Sequence, residues 1–373
     1  MTVLFNNYGR RPVHLVKGKG TEVWDDKGKR YLDFTSGIAV LSLGHANPLL
    51  NEALQQQSEK LWHVSNLFDS PEQEQLGASL VKDTHLAHAL FCNSGAEANE
   101  AAIKLARKHT GKHHIITFEK SFHGRTYATM AATGQDKVKQ GFGPLVEKFT
   151  TVPFNDVAAL KAVADASVGA IMLEVIQGEG GVNAATPAFI EAINEVSAEY
   201  GILVIVDEVQ TGIARTGKRY AFEHTALKPD IVSLAKGLGG GFPIGAILAQ
   251  PALYDTLGPG SHGTTFGGNP LAVAVAQKVI DTVFEPNFLV QVQTLSTYAK
   301  EQLTKKLPQF NVVGEGLLLG LDCGEPIAAD YVKKAEAAGL LVVQAGTDVV
   351  RLVPPLTVTK AEIDEAISIL QEL

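Results

Sequence analysis

Short, largely apolar runs alternate along the middle of the chain with segments whose hydrophobic residues recur every third or fourth position. The runs 113–118 (HHIITF), 170–175 (AIMLEV), 202–206 (ILVIV) and Ile231–Leu234 (IVSL) predict strands, being too short for helices and rich in branched residues. Between them, Pro187–Tyr200 (PAFIEAINEVSAEY) places Phe189, Ile190, Ile193 and Val196 at helical spacing. Strands without polar alternation are buried on both faces, and intervening helices supply that cover. The pattern predicts an α/β fold with a mostly parallel central sheet. Ligands of such sheets bind beyond the carboxyl ends of the strands, so the residues just after each run are where chemistry is expected.

The pattern changes at both ends. Residues 13–35 contain WDDKGKRYLDF, two strand-like pieces around an Asp-Lys-Gly turn, which predicts a hairpin. After Pro286 the spacing predicts helices over 288–306, 327–338 and 360–373 and strands over 317–322 and 341–343. These form a smaller α+β domain. The expected division is an N-terminal segment 1–45 packing with the small domain, a large domain 46–270 and a small domain 271–373.

Composition narrows the classes of function. A chain of 373 residues with 45% hydrophobic and 19% charged residues can bury two ordinary cores. A net charge of −8 argues against a nucleic-acid partner, which needs a basic surface. Two cysteines, Cys92 and Cys323, cannot build a disulfide framework. The first ten residues lack the apolar core of a signal peptide, and no apolar run reaches the ~18 residues of a membrane span. A soluble cytoplasmic protein is expected.

Five segments carry candidate chemistry. In PDIVSLAKGLGGGFP (229–243) a strand runs into Lys236, followed by glycines; an apolar, cramped lysine loses its proton more easily and becomes a nucleophile towards aldehydes. Taken alone, Lys236 reads first as an exposed loop lysine beside a turn. In ILVIVDEVQTG (202–212) five apolar residues end at Asp207, which is either an N-cap or a carboxylate facing a site. A lysine and an acid at neighbouring strand ends would share one cavity. In FCNSGAEANEAAIKLAR (91–107) a helix starts after Ser94, so Gly95 and Ala96 offer free N–H groups to an anion, while Ser94 and Glu97 also read as a capping box. In KSFHGRT (120–126) Phe122 could stack on a planar ring and Arg125 could fork onto a carboxylate, although a lone Phe and Arg usually belong to core and surface. SHGTTFGGNP (261–270) is a polar loop with the hydroxyls of Thr264 and Thr265. Cys92 reads as a buried small residue, and the histidines between His85 and His123 read as structural, with no metal-ligand spacing.

Together and in this order, SGAEANEAAIK, FHGRT, QGEGG, DEVQTG, LAKGLGGGFPIGA, TTFGGNP and RLVPPL resemble the class III aminotransferases of fold type I, over nearly the whole chain. Within that family the acetylornithine-type enzymes look most similar. The resemblance implies pyridoxal 5'-phosphate as cofactor, held on Lys236 as a Schiff base. It implies Asp207 at the pyridine nitrogen, Gln210 near the phenolic oxygen, Val209 and Phe122 on the two ring faces, and Ser94, Gly95 and Ala96 around the phosphate. It further implies a homodimer in which Thr265 reaches the partner's phosphate. Arg125 would take the donor's α-carboxylate. Glu179 would swing from Arg351 to admit 2-oxoglutarate, and Thr264, Ser65 and Asn66 would complete the substrate region. The 61–68 stretch (LWHVSNLF) has no tyrosine to meet a free α-amine, which favours N-acetylornithine as donor. Ornithine, succinylornithine, succinyl-diaminopimelate and 4-aminobutyrate are the alternatives. Two other classes stand beside transamination: a mutase or decarboxylase on the same scaffold, and a binding module without activity.

Overall fold

The structure is a computed structural model that describes residues 3–373; residues 1 and 2, where the predicted N-terminal segment begins, lie outside the described residues. At its centre stands a seven-stranded sheet in the order His88–Cys92, Gly245–Ala249, Ile231–Leu234, Leu203–Asp207, Val168–Leu173, His114–Phe118, Phe149–Val152. Only Gly245–Ala249 runs against the rest, antiparallel to both its neighbours. Every residue of Val168–Leu173, Ile231–Leu234 and Gly245–Ala249 is buried, as the unbroken apolar runs require.

Ile231–Leu234 and Pro187–Tyr200 form with the predicted bounds. Strand Val168–Leu173 stops before Glu174 and Val175, which the sequence placed in the strand. The apolar run there continues because Val175 packs into the core, not because it pairs in the sheet. The strand Gly245–Ala249 (GAILA) had no signal of its own, since its small residues merge into the glycine-rich stretch before it. Helix Gly95–Thr110 covers one face of the sheet through Ala98, Ala101, Ala102 and Ala106, whose short side chains allow close approach, with Ile103 and Leu105 buried beside them. Burying each of those two larger side chains contributes roughly 1.5–3 kcal/mol.

The N-terminal region forms three antiparallel strands, Leu15–Lys19, Glu22–Asp25 and Arg30–Asp33, one more than the predicted hairpin. Leu340–Leu341 adds a fourth strand, parallel to Arg30–Asp33. The predicted strand 341–343 therefore splits. Leu340–Leu341 joins the N-terminal sheet, and Val343–Ala345 joins a second four-stranded sheet with Asn311–Glu315, Leu318–Asp322 and Val349–Leu352. Helix Pro270–Val283 packs against Pro48–Ser58 and Pro71–Val81. Among the described residues no helix is long and apolar enough to cross a membrane.

Candidate active site

The parallel strands all point their carboxyl ends at one cavity of about 430 Å³. Residues at or after the ends of five different strands line it: Asn93–Ala96, Phe122–Arg125, Glu174 and Glu179, Asp207, Val209 and Gln210, and Lys236.

Lys236 opens a single 3-10 turn, Lys236–Gly239, with φ of 43°, a left-handed conformation that an L side chain adopts only under constraint. Burial lowers its pKa from the ordinary lysine value; Glu179 acts against this, Arg351 with it, and Asp207 and Glu174 against it. One strand away, the carboxylate of Asp207 is 3% exposed. Its Oδ2 accepts from His123 Nδ1 and from Asn99 Nδ2, both at 2.8 Å, and its Oδ1 accepts the N–H of Val209 at 3.0 Å. Asp207 thus turns the loop after its strand and also faces the cavity.

Ser94 caps helix Gly95–Thr110, its hydroxyl accepting from Glu97 N–H at 3.2 Å. Glu97 returns to the N–H of Asn93 at 2.8 Å, so the capping residues hold the turn while the first amides of the helix face the cavity. A Cβ on Gly95 would stand 2.8 Å from Cγ1 of Val209, which explains glycine here. Cys92 is buried and its thiol is pushed up to about 12 by that burial, leaving it inert.

Phe122 lines the cavity, and the Arg125 guanidinium stands over its ring at 5.5 Å, exposed at the mouth. Glu100 anchors this turn by accepting from Thr126 Oγ1 (2.6 Å) and from the N–H of Ala128 (3.0 Å). Opposite, one Nη of the fully buried Arg351 donates to Glu179 Oε1, Gln210 Oε1 and the carbonyl of Gly178, each at 2.7 Å. Burial alone would raise the Glu179 carboxyl; Arg351, then Lys236, outweigh it and hold Glu179 below its usual range. A Cβ on Gly178 would collide with the Gln210 amide, so this contact too requires glycine. Glu174 accepts from the N–H groups of Phe122 (3.0 Å) and Gly178 (3.1 Å) and is pushed up to about 7 by burial, with Asp207 adding to the rise.

Five predicted residues do not line this cavity within one chain: Arg351, which lies behind Glu179 and Gln210, and Thr264, Thr265, Ser65 and Asn66. Thr265, Ser65 and Asn66 line a separate shallow hollow with His63 and Gln73. The Asn66 amide donates to the carbonyl of Gly267 (2.9 Å), Ser65 Oγ accepts from Leu67 N–H (3.1 Å), and Thr264 Oγ1 accepts from Asn93 Nδ2 (2.9 Å). The bonds of Asn66 and Asn93 pin the 264–268 loop to its own chain, and Thr265 lines the separate hollow.

The class-III aminotransferase family matches residues 5–373, all but the first four positions. The chain belongs to the class-III aminotransferases. This aminotransferase is 51% identical to the acetylornithine aminotransferase of Bacillus subtilis (strain 168) over 100% of the chain and 97% of that protein. It is 50% identical to the acetylornithine aminotransferase of Aquifex aeolicus (strain VF5), over the full length of both. Among solved structures it superposes on the N-acetylornithine aminotransferase of Stenotrophomonas maltophilia K279a with a TM-score of 0.84 and 38% identity, over 98% and 96% of the two chains. It also superposes on the ornithine aminotransferase of Toxoplasma gondii with a TM-score of 0.93 and 33% identity, over 99% and 91%.

Members of the family are pyridoxal-phosphate enzymes, and the lining of this aminotransferase fits that group. A 16-residue helix presents its N-terminus, a buried carboxylate stands at the floor, and a half-buried lysine makes no hydrogen bond to the described residues. Sequence reasoning missed three residues that surround Asp207: His123, Asn99 and Glu174. His123 was read as structural, yet it lines the cavity and bonds Asp207; its place beside Phe122 in the same motif was the available signal. Asn99 and Glu174 gave no signal in one sequence, because a buried polar residue inside an apolar pattern looks like an exposed one.

Proposed function

We propose that this aminotransferase moves the amino group of N-acetylornithine to 2-oxoglutarate, giving N-acetylglutamate semialdehyde and glutamate, in the cytoplasm and in the service of arginine biosynthesis. Relatives at about half identity over the full length support the donor. The observation that carries the acceptor is Arg351. It is 1% exposed, its Nε has no partner, and its one carboxylate partner, Glu179, lines the cavity. A buried guanidinium covered by a movable carboxylate suits a reaction whose two half-steps take substrates of different charge.

Bound in the cavity, pyridoxal phosphate supplies an electron sink for the substrate carbon that loses its proton. The chain does the rest. Lys236 holds the cofactor and then, as a free amine, carries the proton away from and back to the reacting carbon. Asp207 would face the ring nitrogen, the amides of Ser94–Ala96 would take the phosphate, and Phe122 and Val209 would bracket the ring. Arg125 at the mouth takes the donor carboxylate. Rotation of Glu179 frees Arg351 for the second carboxylate of 2-oxoglutarate, while Gln210 keeps Arg351 in place.

The hollow around Thr265 supports a homodimer. Trp62, Leu67, Phe68 and Phe266 are 66%, 89%, 69% and 61% exposed beside it in sequence, apolar surface of the kind that a partner subunit covers. In that dimer Thr265, with Ser65 and Asn66, serves the partner's cavity. The test is an assay of glutamate formed from 2-oxoglutarate with N-acetylornithine, ornithine and 4-aminobutyrate in parallel. The highest kcat/KM is expected with N-acetylornithine, and no turnover of that donor would overturn the assignment.

A further inference from the structure

Helix Gly95–Thr110 packs on the sheet through a stripe of alanines at 98, 101, 102 and 106, and Asn99 interrupts this apolar environment while being 1% exposed. A helix that only needed to pack would carry alanine there too. The Asn99 amide is oriented by its neighbours: Nδ2 faces two acceptors, Asp207 Oδ2 at 2.8 Å and the carbonyl of His123 at 2.7 Å. The reversed amide would set oxygen against both. Its Oδ1 is left buried with no partner among the described residues, and so is Nε2 of His123. Leaving such groups unpaired is a sacrifice that packing does not explain.

The charges nearby explain it. Two buried carboxylates, Asp207 and Glu174, share this end of the cavity with His123, and Lys236, Glu179 and Arg351 face them from the other strand ends. His123 reaches Asp207 through Nδ1, so this bond requires the ring tautomer that carries its proton there. Asn99 cannot titrate. It gives Asp207 a third donor, beside His123 and the Val209 amide, at every pH.

We propose that Asn99 is a positioning residue: its amide clamps Asp207 to the 122–125 turn and fixes the direction in which that carboxylate meets the cofactor. The inference rests on the reading above that Asp207 faces the ring nitrogen. It is tested with Asn99→Leu, of similar volume but without a donor, and Asn99→Ser, which restores a single hydroxyl, alongside Asp207→Asn. The dissociation constant of pyridoxal phosphate from the cofactor-free protein is measured by fluorescence. The pH midpoint of the bound cofactor's visible band is titrated in the holoenzyme. For Asn99→Leu a weakening of about tenfold or more and a midpoint moved by at least about half a pH unit are expected, with partial recovery in Asn99→Ser. Wild-type values of both in Asn99→Leu overturn the inference. Should Asn99→Leu not fold, by circular dichroism, Asn99→Ala replaces it under the same criterion. If Asp207→Asn itself leaves constant and spectrum unchanged, the placement of Asp207 fails and takes the inference with it. A changed Asp207→Asn with an unchanged Asn99→Leu removes Asn99 alone.

Discussion

At the floor of the cavity, Asp207, His123 and Asn99 are buried and hold one another through bonds of 2.7–2.8 Å, and the buried Glu174 is held by the N–H groups of Phe122 and Gly178 at 3.0 and 3.1 Å, all supplied by one chain. At the rim, Arg125 stands exposed over a single aromatic ring, and Thr265, Ser65 and Asn66 lie outside the cavity altogether. The floor is preorganised; the rim is open. The contrast follows the division of labour in the reaction. Proton transfer and charge stabilisation need groups fixed before substrate arrives, whereas donor choice needs groups that can be varied without disturbing the floor.

The floor is broken most completely at Lys236. Lys236→Ala removes both the attachment point and the proton carrier, and kcat is expected to fall by about 10⁴-fold or more. Borohydride treatment followed by peptide mapping checks the assignment: the cofactor should be trapped on Lys236 in the wild type and on no lysine in the variant. Trapping in Lys236→Ala would remove this residue from the mechanism.

The next effect tests the boundary between the two regions, at the Arg351–Glu179 pair. Arg351→Lys retains the charge but loses the fork, so KM for 2-oxoglutarate should rise by roughly 10–10²-fold. The half-reaction with the amino donor, followed by stopped-flow absorbance, should change far less. Equal losses in both half-reactions would show that Arg351 supports the floor and does not read the acceptor.

A smaller effect belongs to the rim. Thr265→Val keeps the shape and removes the hydroxyl, and cofactor affinity should weaken by about tenfold, the scale of one hydrogen bond to a charged group. Its place across an interface is tested by mixing Thr265→Val with Lys236→Ala protomers and following cofactor binding in the mixed dimers. Two defective surfaces should combine in one site and leave the other intact. Binding that simply averages the two parents would place Thr265 in its own chain's cavity.

The same contrast governs what one sequence could reveal. Lys236, Asp207 and the Ser94–Ala96 turn were legible because apolar strands end abruptly at residues the chain would otherwise not bury, and strand ends are where such a sheet collects its ligands. Asn99 and Glu174 were not, since their partners are 108 and 52 residues away in sequence and nothing local marks the meeting. Gly245–Ala249 and the split at Val342 were hidden for a related reason: short strands are defined by which sheet receives them, a tertiary fact. Ser65 and Asn66 were named only through the family resemblance of the 61–68 stretch, and their place outside the cavity, with Asn66 bonded to the 264–267 loop, is a tertiary fact.

The smallest effect concerns stability, and it isolates the electrostatic state of the floor. In the cofactor-free protein burial lowers the pKa of Lys236 below its ordinary 10.5. Between the lowered value and 10.5 the unfolded chain binds more protons than the folded one, so folding stability rises with pH through that window. Glu174 and Glu208 act in the opposite sense. Burial pushes both up to about 7 from 4.5, so the folded state holds more protons between those values and stability falls as pH climbs through them. Replacing Lys236 by methionine keeps the volume and removes only the first contribution. The difference in unfolding free energy between the cofactor-free wild type and Lys236→Met, measured by urea denaturation from pH 7.5 to 10.5, should therefore move in favour of the wild type as pH rises. Its slope can reach no more than about 1.4 kcal/mol per pH unit, the limit for one proton. A difference independent of pH would mean that Lys236 titrates as an exposed lysine does, and the floor of the cavity would then be wetter and less preorganised than its hydrogen bonds imply.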